Sequence, residues 1–514
     1  MREEKQSLIL ITVDCLRADH CGFYGYGCPT TPFLDSLASE SIVVPTAVVA
    51  GAPTYYSLPA MFASRMPLAL GRDVIGVAPG EHTLTTALQG AGYSTAAFSA
   101  ANPYISSRFG FDQGFGEFRD FLNFGGSSAR DAKADDESQQ PKENTVHTFN
   151  RWLKRSAQTV RLGKVYDELY FQYLVRIAAA PVSSMDALRK YPSAEIVIEA
   201  AKSWLANAGS QPFFLWLHLM DPHAPYYPPA EAFRELKGRE ISPLQARYLN
   251  EFWNRSDLSA AGMRRKKDGV VDLYDASIRW ADAQIGQFIG YLRSAKLWEN
   301  CVLAVTADHG EEFLEHGRRF HVPMSMAEEI VRVPLLLHVP RHLALEHRSA
   351  VRGAHPRDPF SMIHLAPTLL DILDIPSPAS FRGRSQWRKL DLPSDAPSEL
   401  AVTEMVYKCS NPFREEMRLG PRLLSVRDAR YKLIIQLEAG SVEKLYDLQT
   451  DPAEQNPLPK GEATEVRKRF LKAGSEEIGK TIAERPVSAR VRSLLREVRL
   501  ELSSWKPSHS EPRE

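Results

Sequence analysis

Cysteine is scarce in this sequence. Its 514 residues include only five, namely Cys15, Cys21, Cys28, Cys301 and Cys409. Five cysteines are an odd number and too few for a disulfide framework in a chain of this length. Their spacing matches no zinc site built from thiolates. We therefore expect a chain that folds without disulfide bonds in a reducing compartment, of which the cytoplasm is the simplest.

Long hydrophobic runs and an excess of charge are also absent. No apolar run approaches the roughly eighteen residues that a membrane-spanning helix needs. The start, MREEKQSLILITVD, carries acidic residues and then an apolar run, which is typical of a first β-strand rather than a signal peptide. The 63 basic residues balance 63 acidic ones, so no overall field attracts nucleic acid or an acidic membrane. We expect no transmembrane segment and no nucleic-acid partner.

Hydrophobic residues make up 44% of the chain, which is enough to bury a large core. Short β-rich runs alternate with segments whose apolar residues recur every three or four positions, as in amphipathic helices. The clearest strands are SLILITV, YSTAAFS, PFFLWLHL, CVLAVTA and PLLLHVP, and the longest helical pattern is VVDLYDASIRWADAQIGQFIGYLRSA. This alternation predicts an α/β fold with a large, mainly parallel sheet flanked by helices.

Changes in composition divide the chain into a main domain over residues 1–395 and a smaller subdomain over residues 396–514. Residues 126–145 are polar and lack aromatic residues, which predicts a mobile loop inside a helical insertion over about residues 120–205. After residue 396, strand-like runs with turn signals predict antiparallel hairpins. A charged helical tail with a disordered end is expected to follow.

Two predicted strands end in residues that can bind a metal ion. LILITVD ends in Asp14, and CVLAVTADHG contains Asp308 and His309. Ligands of open α/β sheets sit beyond the carboxyl ends of the strands, so these side chains could converge on Ca, Mg, Mn or Zn. Taken singly, an Asp after a strand is more often a helix N-cap than a metal ligand.

Several segments match one family pattern in order along the chain. They are LITVDCLRADHCGFYGY, PFFLWLHLMDPHAPYYPP, LYDASIRWADAQIG, TADHGEEFLEHG, EEIVRVPLLLHVP, HLAPTLLDIL with FRGRS, and YKLI followed by KLYDLQTDPAEQN. Together they resemble the sulfatase family, part of the alkaline phosphatase-like superfamily. The resemblance covers roughly residues 7–118 and 190–457. It implies an alkaline phosphatase-like catalytic domain over residues 1–395, a metal site and activity on esters.

Sulfatases proper carry a nucleophilic formylglycine made from Cys or Ser in a C/S-x-P-x-R stretch. This chain has GAPTYYSLPAMFASRMP at residues 51–67, without cysteine. Counting back from ASRMP, where the family usually has TGxYP, the resemblance places Thr54 at the nucleophile position, with Tyr56 and Leu58 where the Pro and Arg would stand. Related phosphoglycerol and phosphoethanolamine transferases use an unmodified Thr at this place. Ser57, about one helical turn further on, is a second candidate.

The resemblance implies one divalent ion, held by Asp14, Thr54, Asp308 and His309. Two-metal relatives carry a D-x-x-x-H stretch, and this spacing occurs nowhere in the chain. Position 15, often a second acid in sulfatases proper, is Cys15, which removes an oxygen ligand, weakens the case for Ca and makes Mn or Zn credible. The identity stays open among Mn, Zn, Ca and Mg. A bound ion would favour the alkoxide form of Thr54, and Thr54 is expected to begin a helix, where N–H groups favour an anion.

His223 in DPH and His321 in RRFHVP match family positions where a basic group contacts the transferred group or protonates the leaving oxygen. His218, inside FFLWLHL, is expected to be a buried structural residue. His316 is open between a contact to the metal ligands and a contact to the substrate. Further candidates for the surroundings of the site are Arg17, Asn102, Arg318 and Arg319.

These features predict a metal-dependent hydrolase or transferase of phosphate or sulfate esters that acts through a covalent Thr54 ester, released by water or by an alcohol. Formylglycine releases sulfate by a route that a Thr ester lacks, so phosphate esters are favoured over sulfate esters. The alternatives are a true sulfatase without formylglycine and a non-catalytic member of the family that only binds. The expected partner is a small-molecule, glycan or lipid ester, and neither the natural substrate nor the oligomeric state follows from the sequence.

Overall fold

The computed structural model describes residues 5–123, 163–173, 182–209, 211–344, 358–390, 399–437 and 442–480. The predicted loop at 126–145, much of the predicted insertion and the end of the predicted tail lie outside these ranges. All five cysteines lie within them and are free thiols.

The strands are labelled β1 to β16 in chain order. They span Ser7–Val13, Ile42–Val43, Ala47–Val48, Ser94–Ser99, Glu117–Arg119, Phe213–Leu219, Cys301–Thr306, Glu312–Phe313, Arg319–Phe320, Arg332–Val333, Leu335–His338, Phe360–Ser361, Ala401–Val406, Arg422–Arg427, Tyr431–Gln436 and Val442–Asp447.

The α-helices of the described residues are labelled α1 to α14. They span Pro32–Ala38, Thr54–Ala63, Leu84–Gly90, Gly163–Tyr173, Ala194–Leu205, Ala230–Lys237, Pro243–Trp253, Ala260–Arg264, Lys267–Ser294, Glu328–Val331, Arg341–Ala344, Leu365–Ile372, Glu415–Arg418 and Thr464–Gly479.

A seven-stranded sheet forms the centre of the molecule, in the order β2-β11-β7-β1-β6-β4-β5. The strands from β7 to β5 in this order run parallel to one another, whereas β11 and β2 are antiparallel to their neighbours. Strands β1, β6 and β7 are buried along their whole length, as expected of a parallel sheet covered on both faces. The predicted α/β class and its mainly parallel sheet are confirmed.

The long helix α9 packs against α1, α5 and α6 beside the central sheet. Its apolar residues recur on one face and are buried, among them Leu273, Ile285 and Phe288. No helix of the described residues is long and apolar enough to cross a membrane.

The C-terminal strands β13 to β16 form a separate antiparallel sheet, joined in sequence order, as predicted. Helix α14 covers this sheet, and its Phe470 is buried against Val426 and Leu433.

Strand β13 also contacts the main domain immediately before α2. Glu404 N–H donates to the carbonyl oxygen of Ala50 (2.8 Å), and the Thr403 hydroxyl donates to that of Val49 (2.7 Å). The Tyr55 hydroxyl in turn donates to the carbonyl oxygen of Cys409. The C-terminal sheet therefore fixes the position of the turn that precedes Thr54.

Candidate active site

Asp14 and Asp308 meet because they follow two neighbouring parallel strands. Strand β1 pairs with β7 up to Thr12 and Thr306, so both chains leave the sheet at the same edge. Both carboxylates are fully buried, and the Cys15 N–H donates to Asp308 Oδ1 across the gap (3.3 Å). The structure thus brings together the two strand ends that the sequence singled out.

Thr54 is the first residue of helix α2. Its hydroxyl donates to Asp308 Oδ2 at 2.8 Å and lies 3.2 Å from His309 Nε2. The Ser57 hydroxyl instead donates to the backbone carbonyl oxygen of Thr54 (3.4 Å). The hydroxyl that contacts the Asp308 carboxylate is therefore that of Thr54. Because Thr54 opens the helix, the positive end of the helix dipole favours negative charge beside it.

His309 is held with one ring nitrogen turned toward the carboxylates. Its Nδ1–H donates to the carbonyl oxygen of Gly310 (2.9 Å), which leaves the Nε2 lone pair facing Asp308 Oδ2 (3.5 Å) and Asp14 Oδ1 (3.7 Å). Gly310 is required next to it, since a Cβ there would overlap the carbonyl oxygen of Glu329. The oxygen and nitrogen donors of Asp14, Asp308 and His309 lie within 4.8 Å of one another, so this donor set fits one divalent cation.

Asp14 is held by two further side chains. Asn102 Nδ2 donates to Asp14 Oδ2 (2.9 Å), and His218 Nε2 lies 3.3 Å from the same oxygen. Burial raises the pKa of Asp14, but the imidazoles of His223, His218 and His309 outweigh it and hold this pKa well below its usual range. Asp14 is therefore a carboxylate.

His218 is buried, as predicted, yet it also belongs to the site. Its Nδ1 forms a hydrogen bond of 2.8 Å with the Thr12 hydroxyl, which orients the ring toward Asp14. The parallel register pairs Thr12 with His218. The sequence alone does not show this contact, because it depends on β1 and β6 being neighbours in this register.

Cys15 lies inside the cluster, although the sequence pattern indicated only that an acidic ligand is missing at this position. Its Sγ is 3.1 Å from Asp14 Oδ1 and 3.3 Å from His321 Nδ1. Burial, Asp14 and Glu311 raise the pKa of the thiol well above its usual value, so without a cation beside it the thiol is protonated.

His223 and His321 line the open side of the cluster. Their rings are 5.1 Å apart, and the His321 ring is 4.5 Å from that of His309. His223 Nδ1–H donates to the carbonyl oxygen of Ala224 (2.6 Å), while His321 Nδ1 is 3.5 Å from Glu311 Oε1. A pocket of about 240 Å³ opens here, lined by residues that include Thr54, Tyr55, Tyr104, His223, His321 and Ser410.

Other candidates from the sequence lie around this cluster rather than in it. His316 forms a hydrogen bond with Glu329 (3.3 Å) in a separate group near the C-terminal sheet. Arg318 donates to the carbonyl oxygen of Met324 (2.8 Å), and the Arg319 guanidinium lies over the Trp253 ring. Arg17 is buried and supports the loop after β7, because it donates to the carbonyl oxygen of Glu311 (3.0 Å) and to Glu315 (2.9 Å).

Comparison with known families identifies the chain. The family model described as "Sulfatase" matches residues 6–375. The chain belongs to the sulfatase family. The resemblance seen in the sequence is thereby confirmed, and the chain is a member of a family of ester hydrolases. A second model, described as "N-sulphoglucosamine sulphohydrolase, C-terminal", matches residues 315–478.

Curated sulfatases are similar in sequence to this family member. Arylsulfatase K of Bos taurus is 29% identical over 286 residues, which cover 50% of this chain and 50% of that protein. An arylsulfatase of Clostridium perfringens is 24% identical over 399 residues, covering 74% and 77% of the two chains. The chain thus spans about half the length of arylsulfatase K.

Solved structures share the sulfatase fold. The phosphonate monoester hydrolase of Agrobacterium radiobacter matches with a TM-score of 0.64 and 16% identity, over 93% of this chain and 96% of that one. A protein solved in complex with its substrate D-glucosamine-2-N,6-O-disulfate matches with a TM-score of 0.65 and 17% identity, over 94% of this chain and 99% of that one. At these identities the likeness concerns the fold.

Proposed function

We propose that this member of the sulfatase family is a metal-dependent hydrolase of phosphate esters in which Thr54 is the attacking group. The observation that carries the proposal is the contact of the Thr54 hydroxyl with Asp308 Oδ2, at 2.8 Å, beside Asp14 and His309. A lone threonine alcohol is a weak nucleophile, and it needs such an acceptor and a neighbouring cation to be activated.

Thr54 attacks phosphorus in line with the leaving oxygen. Its hydroxyl proton points at Asp308 Oδ2, which accepts it as the bond from Thr54 Oγ1 to phosphorus forms and the bond from phosphorus to the leaving oxygen breaks. The first turn of α2 stabilises the negative charge on the remaining phosphoryl oxygens. A water oxygen then attacks phosphorus as the bond from phosphorus to Thr54 Oγ1 breaks and phosphate leaves. Asp308 returns its proton to Thr54 Oγ1, and the proton lost by the water restores the histidine that protonated the leaving oxygen.

Asp14, Asp308 and His309 would hold the divalent ion, with Thr54 Oγ1 beside it. When bound, such an ion offsets charge on the transferred group and favours the ionised alcohol. Asn102 and His218 keep Asp14 oriented toward this position, through contacts of 2.9 Å and 3.3 Å.

His223 and His321 act on the leaving group. Both rings are partly exposed to the pocket that Thr54 lines, so an ester entering the pocket reaches them and the hydroxyl together. One of them donates a proton to the leaving oxygen, and the other contacts the transferred group.

Phosphate esters are favoured because Thr54 cannot become formylglycine. A plain threonine ester must be opened by water attack on the central atom, as in phosphoryl transfer through a covalent intermediate. Hydrolysis of sulfate esters is the second candidate, and it is favoured by the arylsulfatases among the sequence relatives.

The test compares p-nitrophenyl phosphate, bis(p-nitrophenyl) phosphate and p-nitrophenyl sulfate as substrates of the wild type, Thr54→Ala and Thr54→Ser. We expect Thr54→Ala to lose roughly a thousand-fold or more of kcat, and Thr54→Ser to keep measurable activity because the hydroxyl remains. Removal of divalent ions with a chelator should abolish the activity, and readdition should restore it. Mass spectrometry of quenched wild type should find the phosphoryl group on the peptide that contains Thr54.

Ser57→Ala is the matched control, since it removes a buried hydroxyl one helical turn away on the same helix. It should leave kcat within a few-fold of wild type. Loss of activity in Ser57→Ala with retention in Thr54→Ala would assign the attack to Ser57. A Thr54→Ala variant that equals wild type on all three substrates, together with a wild type that binds no metal, would favour a non-catalytic family member. Preferential turnover of the sulfate would support the second candidate.

A further inference from the structure

The Cys15 thiol lies among the donors of the proposed metal site. Three overlapping sets of side chains bring potential ligand atoms within 4.8 Å of one another, and they consist of Asp14 with Asp308 and His309, Asp14 with Cys15 and His223, and Cys15 with His309 and His321. Each pair of sets shares a residue, so they describe one cluster. Cys15 belongs to two of them.

The separations suit coordination of a single ion. Four ligands arranged tetrahedrally at about 2.0 to 2.3 Å from zinc stand roughly 3.3 to 3.8 Å from one another. Cys15 Sγ is 3.1 Å from Asp14 Oδ1, and Asp14 Oδ1 is 3.7 Å from His309 Nε2. Small movements of these side chains would place Cys15 Sγ at a coordination position of the ion.

The backbone holds the thiol in this place. Cys15 has a φ of 61°, a left-handed conformation that a residue other than glycine adopts only when its surroundings impose it. The Tyr274 hydroxyl donates to the carbonyl oxygen of Cys15 (2.7 Å), and the Cys15 N–H donates to Asp308 (3.3 Å). These contacts turn the side chain toward Asp14 rather than into the apolar core.

We propose that Cys15 is a thiolate ligand of the ion, and that it makes the site selective for a zinc-like cation over Ca²⁺ and Mg²⁺. The inference rests on the proposed function, which needs one divalent ion here. As the sulfur–metal bond forms, the S–H proton is released to water, because a coordinating thiol is deprotonated. Thiolate and imidazole donors suit Zn²⁺ and Co²⁺, whereas Ca²⁺ and Mg²⁺ take oxygen ligands.

The direct test uses the wild-type protein reconstituted with Zn²⁺ or Co²⁺. X-ray absorption at the zinc edge should show one sulfur neighbour at about 2.3 Å, and the cobalt form should show a thiolate-to-cobalt charge-transfer band in the near ultraviolet. Competition between Zn²⁺ and Ca²⁺, read by elemental analysis, should favour Zn²⁺ in the wild type.

Cys15→Asp replaces the sulfur with oxygen donors, so it should lose the charge-transfer band and shift the competition toward Ca²⁺ at least ten-fold. Cys301→Ala is the matched control, because Cys301 is buried at the opposite end of β7 and lies outside all three sets. It should keep the band and the preference. Circular dichroism of each variant verifies folding, and the wild-type spectra carry the test even if Cys15→Asp does not fold.

The possible outcomes separate this inference from the proposed function. One bound Zn²⁺ without a sulfur neighbour would overturn the role of Cys15 and leave the metal-dependent hydrolase standing. Equal binding of Ca²⁺ and Zn²⁺ by the wild type would overturn the selectivity. A wild type that binds no divalent ion would overturn both.

Discussion

Asn102 sets the orientation of one carboxylate in the site. Its amide donates to Asp14 Oδ2 (2.9 Å), and its own Oδ1 accepts from Tyr104 N–H (3.0 Å), which fixes the amide in place. Groups that orient a metal ligand typically contribute about 10- to 100-fold in metal affinity. An ion held by Asp14 would therefore depend on Asn102 through that carboxylate.

We predict that Asn102→Ala weakens binding of the divalent ion by about 10- to 100-fold, because Asp14 loses the donor that orients it. Titration of the metal-free protein with Zn²⁺, followed by calorimetry, measures the affinity. Asn207→Ala is the control, since Asn207 is an exposed residue just after helix α5. An unchanged affinity in a correctly folded Asn102→Ala variant would contradict the orienting role.

The sequence allowed part of this cluster to be predicted. Asp14, Asp308 and His309 follow apolar runs, so their placement at the strand ends was predictable from the pattern. Thr54 was found only through its spacing from ASRMP, because an isolated threonine carries no local signal. The contacts of His218 and Cys15 with Asp14 were missed, since they depend on which strands are neighbours and on the direction of one side chain.

The start of helix α1 is stabilised by a residue of helix α9. The N–H groups of Phe33 and Leu34 have no partner within their own helix, and they donate to Asp282 Oδ2 and Oδ1, both at 2.9 Å. Asp282 is buried, and burial raises its pKa to about 7. Above this pH both oxygens are free to accept.

We predict that Asp282→Ala lowers the free energy of unfolding by about 1 to 3 kcal/mol, because the N–H groups of half-buried Phe33 and buried Leu34 lose their acceptor. Chemical denaturation above the pKa of Asp282 measures the change. The control is Gln287→Ala, an exposed position on the same helix, which should change stability little. Equal stability of the two variants would show that the start of α1 is satisfied in another way.

Helices and strands differ in how clearly the sequence pattern predicts them. Strands β1, β6, β7 and β11 were predictable because each is mostly apolar, β4 because it is a short β-rich run, and α9 because its periodicity extends over many turns. The two-residue strands β3, β10 and β12, which form a small sheet of their own, were missed. Two residues carry no periodicity, and only tertiary pairing defines such strands.

At the scale of the whole molecule, a buried ionic cluster joins the main domain to the C-terminal sheet. Glu328 of α10 accepts from Arg427 of β14 (2.5 Å) and from Lys432 of β15 (3.0 Å). Lys432 is fully buried and also pairs with Glu454 (2.9 Å). Burial raises the pKa of Glu328, but Arg427 and Lys432 outweigh it and lower this pKa from 4.5 to about 2.

We predict that Glu328→Gln destabilises the protein by about 3 kcal/mol at neutral pH, because buried Arg427 loses its carboxylate and buried Lys432 keeps only that of Glu454. The pKa of Glu328 is lower in the folded state. Its contribution to stability is therefore present above pH 4.5 and is lost as the pH falls from 4.5 to about 2. Denaturation at several pH values should therefore show the difference from wild type shrinking on acidification. Exposed Glu231→Gln should show no such convergence, and a constant difference for Glu328→Gln would refute the ionic explanation.

The contact of β13 with residues 49 and 50, and of Tyr55 with Cys409, has a consequence for biosynthesis. A polypeptide emerging from the ribosome completes the central strands long before residues 401–409 are available. The turn that carries Thr54 can acquire its final shape only after those late residues arrive, so a nascent chain should complete its central sheet well before this turn.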